Sequence, residues 1–403
     1  MPSGSRNARA KVTSRGCEPP FRDRKEEAHI PTERIANRQL LFILFIMRST
    51  IVIAFMPVLT TANAAQDAWA SAVVAGVGAL VLVIVIGALG TRFPDQTLME
   101  YSQKLVGTIL GKIISLIYLW VFLFLAAIDL RIYGEALITG FIPETPLVFI
   151  VTSMVIASAF AAYSGIEAIG RNADFIFPVF VAMIVASLLA AIPQMQLMRL
   201  QPVLARGIRP VLVGAITPVA ITLQMLTLTL LAPSVLQPRK ATRTAVWAII
   251  GASLVLVAST VVTVAVLGVD PSARSVFPFF RMVRAIRLTE FLERIEALAM
   301  FAWGFGLFVG VSTFLYCGAR GLSQVLNLND YRPLIGPMAV IWIVLSIHGV
   351  TDMFQLRSFF RPEVAGPYAL LLILVPQGIL WAAYAVRRLA ARESGGQEGR
   401  AKP

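Results

Sequence analysis

The chain has 403 residues, of which 57% are hydrophobic and only 14% charged, and its mean hydropathy is +0.77. Soluble domains average roughly 25% charged residues, so this composition belongs to a bilayer. Two cysteines, Cys17 and Cys317, and two histidines, His29 and His348, exclude a disulfide framework, a zinc cluster and most imidazole chemistry. The net charge of +13 is gathered in residues 1–38 and in loops between apolar runs, as in the cytoplasmic loops of a membrane protein. Nucleic acid is therefore not an expected partner.

Residues 1–38 are polar and Arg-rich, without the apolar core of a signal peptide, and read as a disordered basic cytoplasmic tail. Ten apolar runs follow, at 39–62, 69–90, 113–138, 147–167, 173–193, 213–235, 243–269, 296–318, 334–351 and 365–386. They predict an all-α integral membrane protein of about ten transmembrane helices over 39–388, ended by a polar tail at 389–403. The leader and the loops after even-numbered runs hold most of the Lys and Arg, whereas the first two loops on the opposite side hold none. Both termini are thus expected in the cytoplasm.

Two connections are patterned. Thr97-Leu98-Met99-Glu100-Tyr101 with Leu105 predicts a short helix at the cytoplasmic surface. Phe277, Phe280 and Val283 interleaved with Arg281, Arg284 and Arg287 predict an amphipathic helix lying in the outer interface or folding over a vestibule. Run one is interrupted by Arg48-Ser49-Thr50 and Pro57; run six, the first of the second half, by Thr217-Pro218 and Thr222-Leu223-Gln224. Interruptions at matching places in two halves point to an inverted-repeat transporter with a midplane site.

Arg48 lies roughly 14 Å of helix rise into its span, where an arginine costs at least about 2.5–3.5 kcal/mol unless it faces protein, water or a counter-ion. It either holds a ligand carboxylate or pairs with an acid such as Asp129. Arg131 and Glu135, four residues apart, are placed to pair on one helix face or to line an entrance. Tyr118 and Phe122 either wall a pocket or pack between helices. Glu293, Arg294 and Glu296 mark the start of run eight, where a carboxylate also suits a helix N-terminus. Ala302, Gly306 and Gly310 form a close-packing stripe on that run. There is no G-x-x-x-x-G-K-[ST] loop, no H-E-x-x-H and no plausible Ser/His/Asp set. Catalysis, a metal and a cofactor are not expected.

The order of these features resembles one family, the spore germination permeases, the B-type membrane subunits of endospore germinant receptors. The resemblance rests on Gln39 and Pro57, Asp67-Ala68-Trp69, Phe93-Pro94 before Thr97–Tyr101, then Gly107 and Gly111. It continues through Leu130-Arg131 with Glu135, Pro143–Pro146, Gly165 with Glu167, Arg171 and Pro178. Leu200–Leu204 with Gly207 and Pro210, and Phe291–Glu296 with Trp303, complete it. It implies a fold similar to the amino-acid/polyamine/organocation transporters: two inverted five-helix repeats, with helices one and six broken. It also implies a small germinant, usually an L-amino acid, held at the midplane among spans one, three, six and eight. Implied partners are an A-type membrane subunit and a C-type lipoprotein in the inner membrane of the spore.

Two departures fall on the implied pocket. Glycines usual at the span-one break are replaced by Arg48-Ser49-Thr50, and a glutamate common in span six by Thr227. The ligand-binding candidates are accordingly Arg48, Ser49, Thr50, Tyr118, Phe122, Thr222, Gln224 and Thr227. An added arginine favours an anionic group, and a lost glutamate disfavours an amine. The leading expectation is a germinant sensor; the alternative is a secondary amino-acid permease coupled to a proton or sodium gradient, with Asp129 or Glu296 as coupling carboxylate. A third reading is an assembly subunit that binds no ligand.

Overall fold

In a computed structural model, described for residues 33–285, 295–350 and 353–398, every apolar run falls on a helix. The helices are α1 (Asn37–Ala64), α2 (Ala68–Gly90), α3 (Leu98–Val106), α4 (Thr108–Gly140), α5 (Leu147–Tyr163) and α6 (Ile166–Ala191). In the second half come α7 (Arg209–Ala220), a 3-10 segment (Ile221–Thr227) and α8 (Leu228–Leu231), which together make the sixth span. Then follow α9 (Ala241–Leu267), α10 (Val269–Arg274), α11 (Pro278–Ala285), α12 (Ile295–Leu326), α13 (Arg332–His348), α14 (Met353–Phe359), α15 (Pro362–Ala369) and α16 (Val375–Glu398). Among the described residues there are no strands beyond an isolated bridge between Ile35 and Val235.

Among the described residues, seven helical stretches are long and apolar enough to cross a membrane, the first of them, Phe55–Gly90, joining the end of α1 to all of α2. Two shorter apolar helices, α5 and α13, accompany them. Their surfaces follow the logic of a bilayer. On α2, Val73, Val77, Val81 and Ile84 form an exposed apolar stripe, while Ala72, Ala75, Ala79 and Val83 are buried against the bundle. The alanines of this helix face protein, because lipid tails are as apolar as leucine and close approach of backbones drives the packing.

Two helix groups carry the architecture. α1 and α2 pack with α7 and α9; α4 and α5 pack with α12 and α13; α6 bridges α1 and α12. Each group draws two spans from each half of the chain, as a repeat of five helices requires.

The expected break in helix one is not formed. α1 runs as one α-helix through Arg48-Ser49-Thr50 with Pro57 inside it. Proline removes one amide from the ladder, and the hydroxyls around it fold back onto the backbone: Thr50 donates to the Ile46 carbonyl at 2.7 Å and Thr61 to that of Pro57 at 2.6 Å. These bonds satisfy both hydroxyls within the helix, which stays continuous through the segment. Helix six does change form, passing from α to 3-10 bonding just after Pro218. The fourth span also ends earlier than its apolar run, at Tyr163, because Gly165 turns the chain at φ +92°.

Both patterned connections are helical. α3 is capped by Thr97, whose amide donates to the Glu100 carboxylate at 2.8 Å; the hydroxyl of Thr97 donates to Gln324 of α12 at 2.7 Å. In α11, Phe279, Phe280, Met282 and Val283 are buried while Arg281 and Arg284 stay outside. Arg287, Glu293 and Arg294, and the side chain of Glu296, lie outside the described residues.

Candidate ligand site at the crossing of helices one and six

Two closures bound the centre of the bundle. On the α11 side, the Trp303 indole donates to the Thr50 carbonyl at 2.8 Å. Tyr133 meets Trp303 edge-on and Phe280 meets it tilted, each with centroids 5.3 Å apart, and Phe277 lies 6.2 Å away. Beneath these rings, Ile53, Phe180, Ser187 and Phe280 line a cavity of about 20 Å³, room for a single water. On the opposite side, the strand-like segment before α1 is strapped down. Ile35 donates to the Ser234 carbonyl at 2.9 Å and accepts from Leu236 at 2.9 Å. The Glu33 carboxylate accepts from the Ile166 amide at 3.0 Å, from the Tyr331 hydroxyl at 3.4 Å and from Arg332 at 3.3 Å. Burial and the adjacent Glu33 carboxylate push the Tyr331 hydroxyl well above its usual range, so it stays a donor.

Between the closures lies a polar layer. Arg48 is only 3% exposed. One guanidinium nitrogen donates to the Pro218 carbonyl at 2.6 Å and the other, Nη1, has no partner. The Pro218 bond has a backbone cause: where α bonding gives way to 3-10 bonding, carbonyls lose their i+4 amides, and one such carbonyl is offered to the arginine. Ser49 Oγ, Thr222 Oγ1 and Gln224 Oε1 are fully buried and also without partners. Gln224 Nε2 lies 3.5 Å from Asp129 Oδ2. Among the described residues, no ion pair joins Arg48 to Asp129. Buried polar atoms left unpaired cost about 1–3 kcal/mol each, so four in one layer make a binding site an economical explanation.

The other predicted residues separate from this layer. The Thr50 hydroxyl is satisfied by Ile46, and Thr227 donates to the Gln224 carbonyl at 2.8 Å; both are buried but neither hydroxyl is free. Phe122 packs on Phe314 with centroids 6.1 Å apart. Tyr118 sits three turns from Asp129 along α4, and its buried hydroxyl has no hydrogen-bond partner among the described residues. Arg131 pairs with Glu135 at 2.6 Å and donates to the Ile347 carbonyl at 3.0 Å, as i,i+4 spacing predicts. On α12 the small residues are for packing: a Cβ on Gly306 would fall 2.8 Å from Phe180, hard against Thr50 as well. Sequence reasoning did not place the Pro218 carbonyl or Trp303 at the site; only the proline itself hinted at the first.

A multi-pass bundle of this kind, with a polar layer at the crossing of its first and sixth spans, is a transporter fold. The structure of MhsT in complex with L-phenylalanine superposes with a TM-score of 0.63, covering 86% of this chain and 98% of that one at 14% identity, a likeness of fold alone. Residues 34–352 match the family described as spore germination protein, and the chain belongs to that family. Among curated relatives, spore germination protein KB of Bacillus subtilis (strain 168) is 27% identical over 80% of this chain and 87% of its own length. Spore germination protein YndE of the same organism is 26% identical over 78% of this chain and 87% of its own.

Proposed function

We propose that this protein is the germinant-sensing membrane subunit of a spore germination receptor. It binds a small molecule in the layer of Arg48, Ser49, Thr222 and Gln224. The observation that carries the reading is the unpartnered, buried guanidinium nitrogen of Arg48. A charge kept at that depth without an acid beside it is poised for an anionic group brought by a ligand. An L-amino acid, as the family resemblance implies, has such a group. Occupancy favours one arrangement of α1 against helix six, and the ligand shifts the equilibrium by its difference in affinity for the two arrangements. That change is read by an A-type membrane subunit and a C-type lipoprotein in the inner spore membrane, with both termini of this chain in the cytoplasm.

The experiment is germination of spores deleted for this gene, scored against single amino acids, sugars and nucleosides, followed by complementation with Arg48→Ala. Loss of response to one germinant supports the sensor. The variant, at unchanged receptor level, shifts that dose–response to higher concentration by tenfold or more; an unaltered curve removes Arg48 from the site. A second reading, a permease coupled to a proton or sodium gradient, is favoured by the closure of the layer on both sides. Gradient-dependent accumulation in growing cells would establish it in place of the sensor.

A further inference from the structure

We infer that the groove between α4, α5, α6 and α12 is a phospholipid site, in which one acyl chain lies along the bundle and the headgroup phosphate meets the arginines of α11. Lipid binding here goes beyond the germinant reading above and does not rest on it.

The groove is a cavity of about 670 Å³. Phe149 of α5, Phe175 of α6, and Phe301 and Phe305 of α12 line it and are each more than half exposed, so its open side meets the hydrocarbon of the bilayer. Gly304 and Tyr133 line it where α12 meets α4; a Cβ on Gly304 would fall 2.7 Å from the Tyr133 hydroxyl. Walls from four helices set it apart from an ordinary lipid-facing surface such as the valine stripe of α2.

Size and charge choose the occupant. Along α5 the lining runs from Phe149 to Ala157, about 12 Å of rise, against roughly 15 Å for the hydrocarbon of one leaflet. Spread over that length, 670 Å³ gives a section of roughly 55 Å², below the about 80–110 Å² of a helix 10–12 Å across. A flexible tail enters such a groove; a second transmembrane helix does not. The mouth lies towards α11, where Ile142 and Thr145 line it and the Ile142 amide donates to the Leu137 carbonyl at 2.9 Å. There Arg284 donates to the Gly140 carbonyl at 3.2 Å and lies over the Phe141 ring at 5.9 Å. Arg281, three residues earlier, shares the exposed face of α11. Glu144, exposed in the turn after α4, offsets one of these charges and, among the described residues, leaves the mouth positive. Guanidinium groups at the end of an apolar groove are complementary to a phosphate that carries an acyl chain. A tail gains little by leaving other tails, so the phosphate contact and close packing are what hold one lipid in place. The bound chain rests on Tyr133, which meets Trp303 with centroids 5.3 Å apart, and so braces the aromatic closure.

The test is native mass spectrometry of the full chain, stripped of lipid in detergent and titrated with dioleoyl phosphatidylglycerol. Expected is one lipid bound ahead of all others, and at least tenfold weaker binding of dioleoyl glycerol, which lacks the phosphate. Ala157→Trp, which fills the groove from an exposed position, should weaken the binding at least fivefold. Arg281→Gln combined with Arg284→Gln should weaken it at least threefold, and Val77→Trp, on the stripe of α2, should leave it unchanged. Unchanged elution on size exclusion shows that the variants are folded. Equal binding by wild type and Ala157→Trp overturns the inference, and so does equal weakening by Val77→Trp, the mark of non-specific lipid. Equal affinity for the two lipids, indifference to the arginine substitutions, or no bound lipid at all overturns it as well. If Ala157→Trp keeps its lipid but loses a membrane protein that co-purifies with wild type, the groove belongs to a partner's helix and the inference falls. None of these outcomes bears on Arg48, so the germinant reading stands or falls separately.

Discussion

The indole nitrogen of Trp303 donates to the backbone carbonyl of Thr50 at 2.8 Å, tying α12 to the turn of α1 that carries Arg48. The bond takes a carbonyl from the middle of a helix whose own ladder is already thinned by Pro57. It fixes the depth of Arg48 relative to the aromatic closure above it. Stability and ligand access are therefore linked at this contact.

Trp303→Phe keeps the ring contacts with Tyr133 and Phe280 and removes only the donor, so it should cost on the order of 1 kcal/mol. Trp303→Ala also empties the aromatic cluster and should cost about 3–5 kcal/mol. Thermal unfolding of both variants in one detergent checks the order; equal losses would show that the hydrogen bond carries the whole effect.

The α12 glycines separate by position. Gly306→Ala drives a Cβ to within 2.8 Å of Phe180 and should cost about 1–3 kcal/mol by overpacking. Gly310→Ala meets Met47 at an ordinary 3.8 Å and should be close to neutral. Side-by-side melting curves test this, and a larger loss at Gly310 would contradict the packing described.

Glu33 holds the strap before α1 through Ile166, Tyr331 and Arg332. Cys317 is fully buried near that strap, beside Tyr316 and Arg320. In a Cys17→Ser background, Glu33→Ala should raise the rate of Cys317 alkylation by a membrane-permeant maleimide at least several-fold. An unchanged rate would mean that the strap does not govern access from that side.

Gly165 turns at φ +92°, and a Cβ there would run into the Glu33 carboxylate. Gly165→Ala combines an unfavourable backbone, about 1–2 kcal/mol, with displacement of that acid. Its effect on alkylation should therefore be less than additive with Glu33→Ala. Full additivity in the double mutant would separate the turn from the strap.

Much of this was legible in the sequence. The helices over 39–62, 69–90 and 113–138 follow from apolar runs alone, and the caps of α3 and the two faces of α11 from spacing within a few residues. The pair Arg131–Glu135 is equally local. What failed was the break of α1. Arg48-Ser49-Thr50 interrupts the hydropathy, but the helix runs through it, and Thr50 and Thr61 return their hydroxyls to their own backbone. Thr227 likewise spends its hydroxyl locally, where the pattern offered it to a ligand.

The sequence by itself determined that the chain is helical and membrane-embedded, how many apolar helices it has, and that an arginine must be buried in the first of them, because hydropathy and side-chain burial cost act over one helix at a time. Only the tertiary structure decided that Arg48 faces the Pro218 carbonyl rather than Asp129, and that Gln224 reaches Asp129. Those outcomes depend on the rotation and depth of each helix against its neighbours, set by glycine contacts and aromatic closures between segments far apart in the chain.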